Sequence, residues 1–171
     1  NRAMKSIGYS GKYHYCYCTK SCHFRYVLDE VLKYPVELET SSSFDIDLIL
    51  SLAKRGKVNQ QTTIINNGFK PAEYAKKISQ LINLGYENVI PILDNTEELA
   101  YYEKWVIRKN KIGLRVATEE EPNFEFYTSR LGIRHSHVIN YYQEALADHP
   151  QFELKMLHFF VDTGIKDSMY Y

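Results

Sequence analysis

The sequence predicts an α/β fold: a parallel (β/α)8 barrel of the TIM type, of which this chain holds about six strand–helix units. Three observations carry that expectation. Strand-like and helix-like runs alternate along the whole chain, which means a parallel sheet joined by right-handed crossovers. Polar or charged residues recur where the strand-like runs end, the place where barrel enzymes keep their chemistry. No glycine-rich turn follows any strand. A doubly wound dinucleotide-binding sheet fits the same alternation but lacks its signature, so the barrel is preferred. A closed barrel takes about 250 residues, and 171 are present.

The elements follow in order. Tyr13, Tyr15 and Tyr17 alternate with His14, Cys16, Cys18 and Lys20, a period of two that reads as a strand over 13–19. Lys20 stands at its C-terminal end, on the face of the small cysteines. A helix over 23–32 follows. The second strand, 36–40, leads into Ser41-Ser42-Ser43, a capping cluster for the next helix. That helix, 44–55, carries Ile46, Ile49, Leu50 and Ala53 at helical spacing. The third strand, 63–66, ends in the turn Asn67-Gly68. Pro71, read as a first helical residue, opens a helix over 72–84. The fourth strand is 89–93, and Asp94-Asn95-Thr96 caps a helix over 97–107. The fifth is 112–116, where Arg115 alternates with Leu114 and Val116. A polar loop, 118–130, precedes a helix over 136–147. The sixth strand is 152–160, and residues 166–171 read as the start of another helix.

The length suits one domain, 1–171, with a sizeable core. Lys and Arg balance Asp and Glu at 21 each, so nothing favours nucleic acid or an anionic membrane as partner. No signal peptide and no membrane-spanning run is present, which makes the cytoplasm the default expectation. Cys16, Cys18 and Cys22 all fall in one strand and its turn. An odd and clustered set argues against a disulfide framework, and without a second ligand cluster no metal site is expected. The chain opens on Asn1 and closes on Met169-Tyr170-Tyr171, which reads as an internal portion of a larger protein.

The strand ends gather chemistry at one mouth: Lys20, Glu39, Asn66 with Asn67, Arg115, and His158 with Phe160. A desolvated lysine near another cation has a lowered pKa and forms Schiff bases. A carboxylate beside it holds the lysine or a ligand hydroxyl, and a flat ring stacks on a heteroaromatic ring. The set suits a carbonyl cofactor. Glu119, Glu120 and Glu121 in the loop after the fifth strand suit a cationic substrate.

Several motifs resemble one family. Tyr17-Cys18-Thr19-Lys20-Ser21, Leu38-Glu39-Thr40-Ser41-Ser42, Ile65-Asn66-Asn67-Gly68-Phe69-Lys70 and Asp94-Asn95-Thr96-Glu97-Glu98-Leu99 follow in order. Ile112-Gly113-Leu114-Arg115-Val116, Ser129-Arg130-Leu131-Gly132-Ile133 and Leu157-His158-Phe159-Phe160 complete the set. Together they resemble the alanine-racemase-like, fold-type III pyridoxal-phosphate decarboxylases, and within them the biosynthetic arginine decarboxylases. Where that family has a stacking histidine this chain has Phe160. Where the family has Gly-Ser it has Asp162-Thr163, and the family's Lys-Phe-Gly lysine is Arg130.

The resemblance implies a pyridoxal 5′-phosphate enzyme of polyamine biosynthesis that decarboxylates a basic amino acid, arginine to agmatine. Ornithine, lysine and diaminopimelate are the alternatives, as is a non-catalytic regulatory homologue. It implies that Lys20 bonds the cofactor and that Glu39 positions Lys20 or the cofactor's phenolic oxygen. Arg115, His158, Phe160 and Thr163 would complete the cofactor contacts. It also implies a homodimer or higher homo-oligomer. The family's phosphate loop and pyridine-nitrogen glutamate lie downstream of its sixth strand, so the chain alone is expected to be inactive.

Overall fold

The computed structural model describes residues 2–117 and 131–159. The 118–130 loop, the 166–171 helix, Phe160 and Thr163 lie outside the described residues. In chain order the elements are α1 (Arg2–Ser6), β1 (Cys16–Cys18), α2 (Arg25–Val31), β2 (Glu37–Thr40), α3 (Ser43–Lys54), β3 (Ile64–Asn66), α4 (Ala72–Asn83) and β4 (Val89–Leu93). A short 3₁₀ turn, Thr96–Glu98, then runs into α5 (Leu99–Trp105), followed by β5 (Asn110–Ala117), β6 (Ile133–Arg134) and α6 (His135–Tyr141). A π-turn, Tyr142–Leu146, extends α6, and β7 (Phe152–Phe159) closes the described chain.

Every strand pair is parallel, and neighbours in the sheet follow chain order from β1 to β5, with β7 on the far side of β5. A doubly wound sheet reverses its order at a switch point. This one winds in a single sense, as a barrel wall does.

The two faces of the sheet confirm the winding. On one face Leu38, Ile64, Val89, Leu93, Ile112, Leu114 and Phe152 form a core with Leu28, Ile46, Ile49, Tyr74, Ile78, Leu81 and Tyr102 from the helices. Burying each large aliphatic side chain there contributes roughly 1.5–3 kcal/mol. On the other face Ile65, Ile90 and Ile92 pack with Cys16 and Met156. No helix residue joins that second cluster among the described residues, so this face is the barrel interior.

Several details differ from expectation. Pro71 is the N-cap residue of α4, with ψ 152°, rather than its first helical residue. A proline at that position forfeits no intrahelical hydrogen bond, so its missing N–H costs nothing there. The two-residue β6 and the N-terminal α1 carry too little pattern to be read from sequence. β6 pairs only with Val116 and Ala117 at the end of β5. Among the described residues no helix is long and apolar enough to cross a membrane.

Candidate active site

Strand alternation decides which side chains reach the interior. Leu38 and Thr40 face the helices, so Glu39 between them faces inward. Ile90 and Ile92 point inward, and Asp94 continues their row past the end of β4. Leu114 belongs to the helix-side core, so Arg115 points inward, as the alternation predicts. Gly113 is the inward residue below it. A Cβ there would stand 2.3 Å from Ile92 Cδ1 and 3.3 Å from the Met156 backbone oxygen, so glycine makes room for Ile92 to cross the interior.

His158 reaches the same face through a bulge. β7 pairs Leu154 with Ile112 and then Met156 with Gly113, leaving Lys155 extra. That one residue reverses the alternation. Phe152 and Leu154 therefore face the helices, while Met156 and His158 face the interior and His158 lies opposite Arg115.

Glu39, Asn67, Asp94, Arg115 and His158 thus ring one mouth. The Asn67 amide donates to Glu39 Oε1 at 3.2 Å. Arg115 is 8% exposed, with Nη1 3.9 Å from Asp94 Oδ1. Among the described residues His158 Nδ1 is buried with no hydrogen-bond partner, and the same holds for both Asp94 carboxylate oxygens. Burial lowers the His158 pKa; Glu39 opposes that shift and Arg115 adds to it. The imidazole is therefore kept neutral. Cys16 sits below, its thiol pushed up to about 11 by burial and then by Glu39 and Glu37, which makes it a poor nucleophile.

Lys20 lies in the turn after β1. Thr19, fully buried, ties that turn to β2: its N–H and hydroxyl both donate to the Glu39 carbonyl, at 2.9 and 3.0 Å. Tyr17, on the opposite face, donates its hydroxyl to the Cys22 carbonyl at 2.9 Å. The Lys20 side chain is exposed. It borders an open cavity of about 820 Å³ with His23, Ser42, Phe44, Gly68 and Phe69. The described residues bring Glu39, Arg115 and His158 together and set Lys20 on the rim beside them. They do not supply the desolvation of Lys20 that the sequence suggests.

Asn66 turns away from the mouth. Its amide donates to Thr40 Oγ1 at 2.7 Å on the helix side, where Thr40 also bonds the Tyr74 hydroxyl at 2.9 Å. The Ser41-Ser42 cluster does cap α3, as expected. Ser42 Oγ accepts from Asp45 N, and Asp45 Oδ2 accepts from Ser41 N and Ser42 N at 2.8 and 3.0 Å.

Sequence reasoning gave no role to a buried charge pair behind the mouth. The Lys70 side chain is 0% and that of Glu98 2% exposed, with Nζ 3.2 Å from Oε2. Glu98 also accepts from the backbone N–H groups of Lys70 at 3.2 Å and Asp94 at 3.0 Å. Lys70 Nζ donates to the Gly68 carbonyl at 2.6 Å. Burial lowers the Lys70 pKa and raises that of Glu98, each opposed by the partner's charge. The one local signal is Asn95 followed three residues later by Glu98, the spacing of a capping box. The Asn95 side chain does accept from Glu97 N and Glu98 N.

No protein-family model matches the chain, and no curated protein matches it. Solved structures do. The biosynthetic arginine decarboxylase of Campylobacter jejuni superposes with a TM-score of 0.71 and 24% identity, over 93% of this chain and 26% of that one. The diaminopimelate decarboxylase of Helicobacter pylori, solved with L-lysine, gives 0.67 and 16%, over 94% and 40%. The alanine racemase of Clostridium difficile 630 gives 0.61 and 13%, over 94% and 40%. The chain has the alanine-racemase-like barrel fold. It spans between 26% and 40% of those proteins' lengths. Within that barrel the mouth described above lies at the C-terminal ends of the strands, and the resemblance read from the motifs is borne out at the level of the fold.

Proposed function

We propose that this chain forms part of the active-site barrel of a pyridoxal 5′-phosphate-dependent decarboxylase acting on a basic amino acid, converting L-arginine to agmatine and carbon dioxide in polyamine biosynthesis. The observation that carries the reading is the convergence of Glu39, Asn67, Arg115 and His158 on one interior mouth beside the Lys20 turn. It occurs on a fold shared with two amino-acid decarboxylases and a racemase.

The residues fit the cofactor's aldehyde and ring end. Lys20 offers a primary amine at the rim, Glu39 an acceptor and Arg115 a fixed positive charge. The buried, partnerless His158 Nδ1 is a nitrogen that a bound group would satisfy. The phosphate finds less among the described residues. Before α3 the N–H groups of Ser41 and Ser42 go to Asp45 and that of Asp45 goes to Ser42, while those of Glu97 and Glu98 go to the Asn95 side chain. Thr163 is an expected cofactor contact and Phe160 the expected stacking ring.

When bound, the cofactor supplies an electron sink for the carbanion left as carbon dioxide departs. In this reading Lys20 would hold the cofactor through its side-chain amine. Glu39 positions that amine, Arg115 tunes the charge of the ring, and neutral His158 closes the interior side. The charges of Glu119, Glu120 and Glu121 suit the substrate's cationic end. We assign 1–171 to this one barrel domain, and the working protein is a homodimer or higher homo-oligomer.

The test uses the full-length protein. Incubation with pyridoxal 5′-phosphate, borohydride reduction and peptide mass mapping should place the label on Lys20. Label on Lys70 or Lys155 refutes the assignment. Mass spectrometry should then detect agmatine formed from L-arginine, and Lys20→Ala should abolish it while leaving the fold intact, because an exposed rim lysine contributes little to stability. Faster turnover of ornithine, lysine or diaminopimelate replaces the substrate. Labelling without turnover of any of them points to a regulatory homologue.

A further inference from the structure

Asp94 carries a charge that the fold does not call for. Its backbone N–H donates to Glu98 at 3.0 Å, and its carbonyl accepts from Gly132 N at 2.8 Å. Any residue but proline could make both bonds at this position. Its side chain is 1% exposed, and neither carboxylate oxygen has a hydrogen-bond partner among the described residues. Burying a carboxylate in that state is costly, and each such group calls for an explanation.

The neighbouring charges narrow the explanation. Lys70 is already answered by Glu98 at 3.2 Å and by the Gly68 carbonyl. The cation that faces Asp94 across the interior is Arg115, whose Nη1 lies 3.9 Å from Oδ1. At that separation the pair attracts without forming a hydrogen bond. Asp94 therefore draws the guanidinium to one place while using none of its five N–H donors. A counter-charge of this kind suits an arginine whose donors serve a ligand.

We propose that Asp94 is the positioning residue of Arg115, fixing the guanidinium at the mouth so that its donors meet an anionic oxygen of the bound ligand. Lys70 and Glu98 are the frame: through Asp94 N they set where the carboxylate stands. The inference rests on the reading of this mouth as a pyridoxal-phosphate site.

The test measures pyridoxal 5′-phosphate affinity of the full-length protein by absorbance titration, in a double-mutant cycle of Asp94→Asn and Arg115→Gln. Asp94→Asn should weaken binding about tenfold, the equivalent of ~1.4 kcal/mol. In the Arg115→Gln background the same exchange should change affinity less than about twofold, because its effect passes through Arg115. Asp94→Glu, which keeps the charge, should lose less than Asp94→Asn. Circular dichroism checks folding, and Asp94→Ser stands in if the asparagine variant does not fold. Unchanged affinity in Asp94→Asn overturns the proposal. So does equal loss in both backgrounds, which a merely structural role gives, and so does an Arg115→Gln variant that binds like wild type. Wild-type protein that does not bind the cofactor overturns the functional reading, and this inference with it.

Discussion

Glu98→Gln tests the buried charge pair most directly. The exchange keeps the shape of the side chain and removes its charge. Lys70, fully buried, then keeps the Gly68 carbonyl at 2.6 Å but loses the carboxylate at 3.2 Å. Breaking a buried pair by removing one partner costs about 3–5 kcal/mol, since the remaining charge is uncompensated. The amide adds to the loss. Glu98 accepts from Lys70 N and Asp94 N through different oxygens, and an amide nitrogen cannot accept either, so one N–H loses its partner at a cost of about 1 kcal/mol. A ceiling limits the charge contribution. Burial already lowers the Lys70 pKa from the ordinary 10.5, and the amine can shed its proton rather than stay charged. Neutralising it at about pH 7 costs near 5 kcal/mol, at 1.36 kcal/mol per pH unit. The expected destabilisation is therefore about 4–6 kcal/mol, read from the urea midpoint at constant slope. The double variant Lys70→Met, Glu98→Gln should recover part of that loss, because no stranded charge remains. A Glu98→Gln variant within about 1 kcal/mol of wild type, the value of an exposed pair, would refute the reasoning.

Gly132 has φ +105°, and a Cβ there would stand 2.8 Å from Ala117 N and 3.0 Å from Arg115 O. Gly132→Ala should cost about 1–3 kcal/mol, and a thermal midpoint equal to wild type contradicts that close approach. Asp45→Ala removes the acceptor for Ser41 N and Ser42 N and should cost about 1–2 kcal/mol by chemical unfolding, whereas Asp45→Asn should lose less. Burial lowers the His158 pKa below its ordinary 6.5. The unfolded chain therefore binds the extra proton first as pH falls, and stability drops below about pH 6.5. His158→Gln should flatten the stability profile between about pH 5 and pH 7, and an unchanged slope would mean that His158 is not the group responsible.

The pattern of short-range repeats in this chain is enough to write down most of its elements. Val89–Leu93 is a strand from its apolar run, and α3 and α4 follow from residues three and four apart. Period-two alternation places Cys16, Glu39 and Arg115 on the inward face, because successive side chains on a strand must point oppositely. Parallel pairing was expected from the alternation of elements, and sequential strand order with helices on one face from the preference for a barrel; the pairing and the strand order bear these out. Three features came only with the tertiary structure. The bulge at Lys155 reverses the faces of β7, and nothing in Glu153-Leu154-Lys155-Met156 marks the extra residue, since it is set by pairing with Ile112 and Gly113. Lys20 reads as part of the interior by parity, yet the turn anchored by Thr19 on Glu39 leaves its side chain exposed at the rim. The union of Lys70, Glu98, Asp94 and Arg115 joins two connections and a strand far apart in the chain. Local sequence encodes geometry over a few residues; which loop ends meet depends on registers summed across β3, β4 and β5, and that sum exists only in the folded sheet.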